Sequence, residues 1–143
     1  MSSKNRKIAI VCSKYNETIV NGLLSGAKKY LAEKNIQLSE KNIYMVPGAW
    51  EIGVMTKKLC ASKKFDGIIT LGCLIKGDTA HFEYIAEPLV HTLMDLSVKY
   101  IIPIGMGVLT CFTPKQAYER SLDDQSNKGY ESAKAVCEML EIF

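Results

Sequence analysis

The feature that most constrains this chain is an alternation of two patterns. Four short, continuously apolar runs, "KIAIVC" at 7–12, "NIYMV" at 42–46, "GIITLGCLI" at 67–75 and "YIIPIGMGVLT" at 100–110, are separated by segments with helical periodicity. A half-buried strand alternates polar and apolar residues; runs apolar on both faces belong to a sheet covered on both sides. After the first run, Ile19, Val20, Leu23, Leu24, Ala27 and Leu31 recur at helical spacing. Ile52, Met55 and Leu59 predict a short helix after the second run, and a longer helix is predicted over about 81–98. Thr113, Pro114 and Gln116 form a helix start, with Thr as cap, Pro at the first helical position and Gln completing a capping box. A last helix is predicted over about 129–141, after the polar stretch 122–127.

Strand–helix alternation implies a parallel sheet with helices on both faces. The expected fold is α/β, a three-layer flavodoxin-like sandwich around a four-stranded parallel sheet. A length of 143 residues fits one domain.

The composition excludes several function classes. A net charge of +3 is too mild for a nucleic-acid binder, and the lysine pairs 28–29, 57–58 and 63–64 read as solvated helix faces. Five cysteines occur, none in a CxxC pair, so neither a zinc site nor a dithiol redox motif is expected. Cys12 and Cys73 lie in apolar runs and read as core residues. The odd cysteine count and the lack of a signal-peptide pattern point to the cytoplasm. No apolar run approaches the roughly 20 residues of a membrane span.

In a doubly wound sheet the ligand sits beyond the carboxyl ends of the strands. That rule selects 14–17, 47–51, 76–81 and 110–120. In the first segment, Tyr15 either staples onto Val20 or offers a ring face for an aromatic ligand, and Asn16 reads first as a helix cap. In the second, "PGAWEI", Gly48 permits a tight turn. Trp50 reads first as core packing. Glu51 either complements the helix dipole or accepts hydrogen bonds from a polyol. The third, "KGDTAH", places Gly77, Asp78, Thr79 and Ala80 before a helix, where unpaired N–H groups and the dipole suit an anion. His81 falls in the first turn. The dipole there opposes an imidazolium and a neighbouring phosphate favours it, a balance suited to proton transfer. His91, one turn from Glu87, reads as an ordinary surface or packing residue. In the fourth segment Arg120 suits bidentate phosphate binding, and Lys128 adds a point charge beyond it; their plain alternative is surface charge beside Glu119, Asp123 and Asp124.

Six stretches occur in order along nearly the whole chain: "IAIVCSKYNETIVNGLLSGA", "VPGAWEI", "GCLIKGDTAHFEYI", "PIGMGVLT", "QAYERS" and "NKGYESA". Together they resemble the 6,7-dimethyl-8-ribityllumazine synthases of riboflavin biosynthesis. The resemblance implies condensation of 5-amino-6-(D-ribitylamino)uracil with 3,4-dihydroxy-2-butanone 4-phosphate, without a metal or organic cofactor. By position, Tyr15 matches the aromatic ring against the pyrimidine. Ala49, Trp50 and Glu51 match the segment holding the ribityl chain, and Cys73, Leu74 and Ile75 match the backbone that reads the pyrimidine edge. Asp78, Thr79 and Arg120 match phosphate-binding positions. His81 matches the proton-transfer histidine, Lys128 a lysine near the phosphate, and Glu131 an acidic residue supporting the histidine.

Four positions depart from the family pattern. Met106 stands where an aromatic residue commonly reaches the neighbouring subunit's pocket. Lys76 stands for Arg, Asp78 for a small residue, and Gly53 for Pro. The resemblance also implies a homo-oligomer built from pentamers, which in some members closes into an icosahedral shell, with riboflavin synthase as a candidate partner. "SLDDQSNKG" is as short as the corresponding loop of shell formers but lacks their Gly/Lys-rich sequence. Three other readings compete. An archaeal-type riboflavin synthase is disfavoured by "GDTAHFEY". A non-catalytic flavin- or lumazine-binding shell needs neither His81 nor Arg120. A flavodoxin-like electron carrier needs a phosphate loop after the first strand, which "SKYNET" does not supply.

Overall fold

The computed structural model describes residues 6–77 and 80–143. Four strands, β1 (Ile8–Ser13), β2 (Ile43–Val46), β3 (Gly67–Ile75) and β4 (Ile104–Cys111), form one sheet in the order β2-β1-β3-β4. Every neighbouring pair is parallel, with Ile10 opposite Ile43, Ile8 opposite Gly67, and Ile68 opposite Ile104. Five helices connect and flank the strands: α1 (Glu17–Glu33), α2 (Ile52–Ser62), α3 (His81–Tyr100), α4 (Pro114–Glu119) and α5 (Lys128–Ile142).

The continuous apolar runs are explained by burial on both faces. Ile8, Ile10 and Cys12 of β1 turn to one side with Ile69, Leu71 and Cys73 of β3 and Leu109 of β4. There they meet Val20, Leu23 and Leu31 of α1 and Val136 and Leu140 of α5. Ala9, Val11, Ile68 and Val108 turn to the other side, against Ile52 and Leu59 of α2 and Leu89, Leu93 and Leu96 of α3. The period-two alternation of side chains thus feeds two cores from one sheet. Thr70, buried in the middle of β3, is satisfied because its hydroxyl donates to the Gly105 carbonyl at 2.7 Å.

The expected boundaries mostly hold, with one instructive shift. The fourth strand, expected from residue 100, begins at Ile104 because α3 runs on through Tyr100. Ile101 then turns left-handed (φ 55°) and its N–H donates back to the Ser97 carbonyl. The Ser97 hydroxyl donates to the Ile102 carbonyl at 2.7 Å. Pro103 has no N–H for the ladder, so pairing starts one residue later. Elsewhere α4 keeps its expected capping box: the Thr113 hydroxyl accepts from the Gln116 N–H at 3.2 Å, and the Gln116 side chain accepts from the Thr113 N–H at 3.4 Å and also from the Phe112 N–H at 2.9 Å.

The contact between α1 and α5 depends on small residues and one asparagine. Asn127 is 2% exposed and caps α5 by accepting from the Tyr130 N–H at 3.0 Å. Its amide donates to the Gly22 carbonyl of α1 at 3.1 Å and to the Leu122 carbonyl at 2.9 Å. One residue beyond the start of α5, Gly129 lies against the Leu23 backbone, and a Cβ there would land on the Leu23 carbonyl. Gly129→Ala therefore provides a sharp test. Helix propensity alone would make it stabilising by about 1 kcal/mol. The close approach instead makes it destabilising by at least ~2 kcal/mol, seen as a lower denaturant midpoint. A raised midpoint would contradict the packing described here.

Candidate active site

The described residues of all four sequence-selected segments lie at the carboxyl edge of the sheet, because parallel strands end on the same side. What each residue does there differs in several places from the expectation.

Beyond β1, Lys14 continues the pairing through its N–H to the Val46 carbonyl at 2.8 Å. Tyr15 is then 72% exposed, so a staple onto Val20 does not account for it and its ring is open to a ligand. Asn16 occupies the N-cap position of α1, but its side chain does not cap the helix. Its backbone is left-handed (φ 61°), and its amide donates to the Cys73 carbonyl at 3.1 Å. The capping expectation is therefore corrected: Asn16 ties the β1–α1 turn to the end of β3. The left-handed conformation is one that Asn tolerates better than other residues with a Cβ.

Beyond β2, Ala49–Glu51 form a single 3-10 turn that leads into α2. Ala49 is buried, but Trp50 is 71% exposed, which overturns the core-packing reading. Trp50 lines an open cleft with Ile85 and Pro88 of α3 instead of entering a core. One Glu51 carboxylate oxygen accepts from the Gly48 N–H at 2.9 Å. That bond closes the turn and orients the carboxylate, whose second oxygen is available to a hydroxyl-bearing ligand.

Beyond β3, Cys73 is buried while Leu74 and Ile75 are partly exposed. Burial pushes the Cys73 thiol up to about 11, so it is protonated at neutral pH and is no nucleophile there. What this stretch can offer a ligand is the backbone at the partly exposed Leu74 and Ile75. Asp78 and Thr79 lie outside the described residues. His81 is the first residue of α3 and is exposed. The first-turn N–H groups of a helix of 20 residues and its dipole converge beside it.

Beyond β4, Arg120 follows the last residue of α4, and its guanidinium donates to the Cys111 sulfur at 3.5 Å. Cys111 pairs in register with Ile75, and its carbonyl accepts from the Lys76 N–H at 2.8 Å. Arg120 thus leans on the strand that runs beside the exit of β3. Among the described residues it makes no ion pair: Asp123 is taken by Lys29 at 3.0 Å, and Asp124 binds Ser126. Lys128 opens α5, and its N–H donates to the Arg120 carbonyl at 2.9 Å, while its ammonium pairs with Glu131 at 3.0 Å. His91 faces Glu87 at 4.0 Å, both well exposed, in keeping with its ordinary reading.

Met106 is not brought to this rim. It lies in the middle of the edge strand β4, five residues before Cys111, or about 16 Å along the strand. Two features escaped the sequence reading. Asn127 was readable as a cap but not as the tie to α1. Lys76 and Glu83 form an ion pair at 2.8 Å across the start of α3. The only sequence signal for that pair was an acidic residue in a first helical turn, which the dipole explains equally well.

The site can therefore offer an aromatic face, an oriented carboxylate, a short run of partly exposed backbone, a helix start with a histidine, and an arginine without an ion-pair partner among the described residues. Comparison with known proteins bears on the family of the chain. A family model described as 6,7-dimethyl-8-ribityllumazine synthase matches residues 5–143. A 6,7-dimethyl-8-ribityllumazine synthase of Leuconostoc mesenteroides is 42% identical over 139 residues, covering 97% of this chain and 89% of the relative. One of Desulfovibrio desulfuricans is 34% identical over 143 residues, covering 100% of this chain and 92% of the relative.

The Asn16 tie has a measurable signature. Asn16→Gly removes a hydrogen bond of about 1 kcal/mol but suits the left-handed backbone. Asn16→Ala loses the same bond and adds ~1 kcal/mol of backbone strain. Urea unfolding should rank Ala below Gly; equal losses would mean that the backbone conformation contributes nothing.

Proposed function

The chain belongs to the 6,7-dimethyl-8-ribityllumazine synthase family, and from that premise we propose that its two substrates meet at the carboxyl rim of the sheet, with His81 moving protons and Arg120 holding phosphate. The protein condenses 5-amino-6-(D-ribitylamino)uracil with 3,4-dihydroxy-2-butanone 4-phosphate, the penultimate step of riboflavin biosynthesis. The products are 6,7-dimethyl-8-ribityllumazine, inorganic phosphate and water, and the enzyme is a transferase.

In our reading the pyrimidine stacks on Tyr15, beside Asn16, and its edge meets the backbone of 73–75. Ala49, Trp50 and Glu51 take the ribityl chain, with the Glu51 carboxylate accepting its hydroxyls. The phosphate sits between the start of α3 and Arg120, with Lys128 nearby and with Asp78 and Thr79 assigned by sequence position. The observation that best supports this arrangement is Arg120: a guanidinium without a carboxylate partner among the described residues, leaning on Cys111 at 3.5 Å beside the exit of β3. Such a group is available for an anion.

The chemistry asks for proton movement and positioning. The ring amine attacks the ketone, and loss of water gives an imine. Elimination then expels phosphate, and the resulting enol becomes a carbonyl. The ribitylamino nitrogen closes the second ring on that carbonyl, with loss of water. His81 would serve the amine and phosphate steps, and orienting two reactants together supplies much of the remaining rate.

We infer a single domain over 1–143 and a homo-oligomer built from pentamers. Support for the oligomer comes from Met106, which is too far along β4 to reach its own rim, and from the exposed apolar side chains of Tyr84, Met94 and Val98 on α3 and of Ile101 just past its end. A sedimentation mass of one chain would contradict the oligomer. We extend the reading to the cytoplasm, supported by five unpaired thiols; among the described residues no helix is long and apolar enough to cross a membrane. Riboflavin synthase, which would consume the product, is the partner this reading suggests.

His81→Ala is expected to lower turnover by about 10²-fold without abolishing it; unchanged turnover in a folded variant would remove His81 from the mechanism. Arg120→Ala is expected to raise KM for the phosphate substrate at least ~10-fold while changing that for the uracil less than about two-fold. Equal weakening of both would refute the assignment.

A further inference from the structure

Lys76 touches three elements at the rim. Its backbone N–H extends the β3–β4 pairing by donating to the Cys111 carbonyl at 2.8 Å. Its ammonium binds a Glu83 carboxylate oxygen at 2.8 Å, two residues past His81 in the first turn of α3. The same ammonium lies 5.9 Å from the centre of the Phe112 ring. Phe112 is itself held at the entry to α4 by the Gln116 side chain. Lys76 therefore sits between the turn into α4 and the start of α3, the element that the proposed function, together with Arg120, assigns to phosphate.

Glu83 creates a problem for that assignment. A carboxylate in the first turn of a helix seeks the same positive end that a bound phosphate needs. Left to itself it would compete for the helix start and repel the substrate. The hydrogen bond from Lys76 holds the Glu83 carboxyl below the usual carboxylate range, so the negative charge is permanent at working pH. Among the described cations assigned to the rim, Lys128 is already beside Glu131. Lys76 is the group that offsets Glu83.

We propose that Lys76 is a positioning residue for the phosphate substrate: its ammonium draws the Glu83 carboxylate away from the start of α3 and masks its charge, leaving that helix start open to the incoming phosphate. The inference rests on the placement of phosphate between α3 and Arg120. It concerns substrate affinity, not fold stability, since both partners are about half exposed and such a pair stabilises a fold little.

The test measures KM for each substrate and kcat in four variants of the full assembly. Lys76→Met should raise KM for the phosphate substrate about five-fold at low salt, the effect of one unmasked charge at close range. The rise should shrink at high ionic strength, and KM for the uracil should change less than about two-fold. Lys76→Arg should keep the parent value, because the charge and the donor remain. Glu83→Gln alone should not raise KM for the phosphate substrate. The double variant Lys76→Met with Glu83→Gln should recover most of the loss, which a merely structural role for Lys76 would not allow. A Lys76→Met variant with an unchanged KM, or one that Glu83→Gln fails to rescue, would overturn the proposal. So would a Glu83→Gln variant whose KM for the phosphate substrate rises about five-fold; that single substitution keeps the test decisive even if Lys76→Met does not assemble. Arg120→Ala in the same assay separates the two levels. If it leaves KM for phosphate unchanged, the phosphate site itself is misplaced. If it raises KM while Lys76→Met does not, only the role of Lys76 fails.

Discussion

The burial of β3 on both faces governs the rest of the structure. Its first seven residues are all buried, between α1 and α5 on one side and α2 and α3 on the other. A strand covered in this way has no side chain to spare for a ligand. Its chemistry is confined to the place where the helices no longer cover it, at Leu74 and Ile75. Because the sheet is parallel, every other strand ends on that side too, and the polar residues that follow β1, β2 and β4 gather around the same opening. The site is thus a consequence of topology before it is a matter of residue choice.

That opening is held by ties between elements, two of them between segments far apart in sequence. Asn16 reaches the Cys73 carbonyl, Lys76 reaches the Cys111 carbonyl, and Lys128 reaches the Arg120 carbonyl. Each bond joins residues at or near the ends of two different elements. The groups assigned to substrate therefore stand on a hydrogen-bonded rim and not on free loops, which favours orientation of two reactants. Its charges are similarly arranged. Lys76 and Lys128 each lie beside a carboxylate, and Arg120 leans on the Cys111 sulfur. An incoming anion meets one guanidinium already in place.

The sequence was most legible where local rules and tertiary structure agree. The run 67–75 reads as a doubly buried strand and is one. The start of α4 reads as a capping box and is one, since all its partners lie within four residues. It was least legible where a local rule competes with a distant partner. Asn16 before a helix satisfies every local criterion for a cap, but its acceptor is 57 residues away and its backbone is left-handed. Trp50 obeys the rule that large apolar residues go inside until it is seen to line an open cleft. The start of β4 failed for a similar reason: Tyr100 and Ile102 are apolar enough for a strand, but the end of α3 claims the first, and Pro103 delays the ladder. The residues of the candidate site were legible mainly through family resemblance. Taken singly, each is a common surface residue, and only their shared position at one sheet edge distinguishes them.

The central claim is that this rim joins two substrates and releases phosphate in the same cycle. The most direct measurement mixes the purified assembly with 5-amino-6-(D-ribitylamino)uracil and 3,4-dihydroxy-2-butanone 4-phosphate and follows lumazine absorbance and inorganic phosphate together. The account predicts that both appear at the same rate and in equal amounts. A folded assembly that binds the uracil yet yields neither product would contradict it.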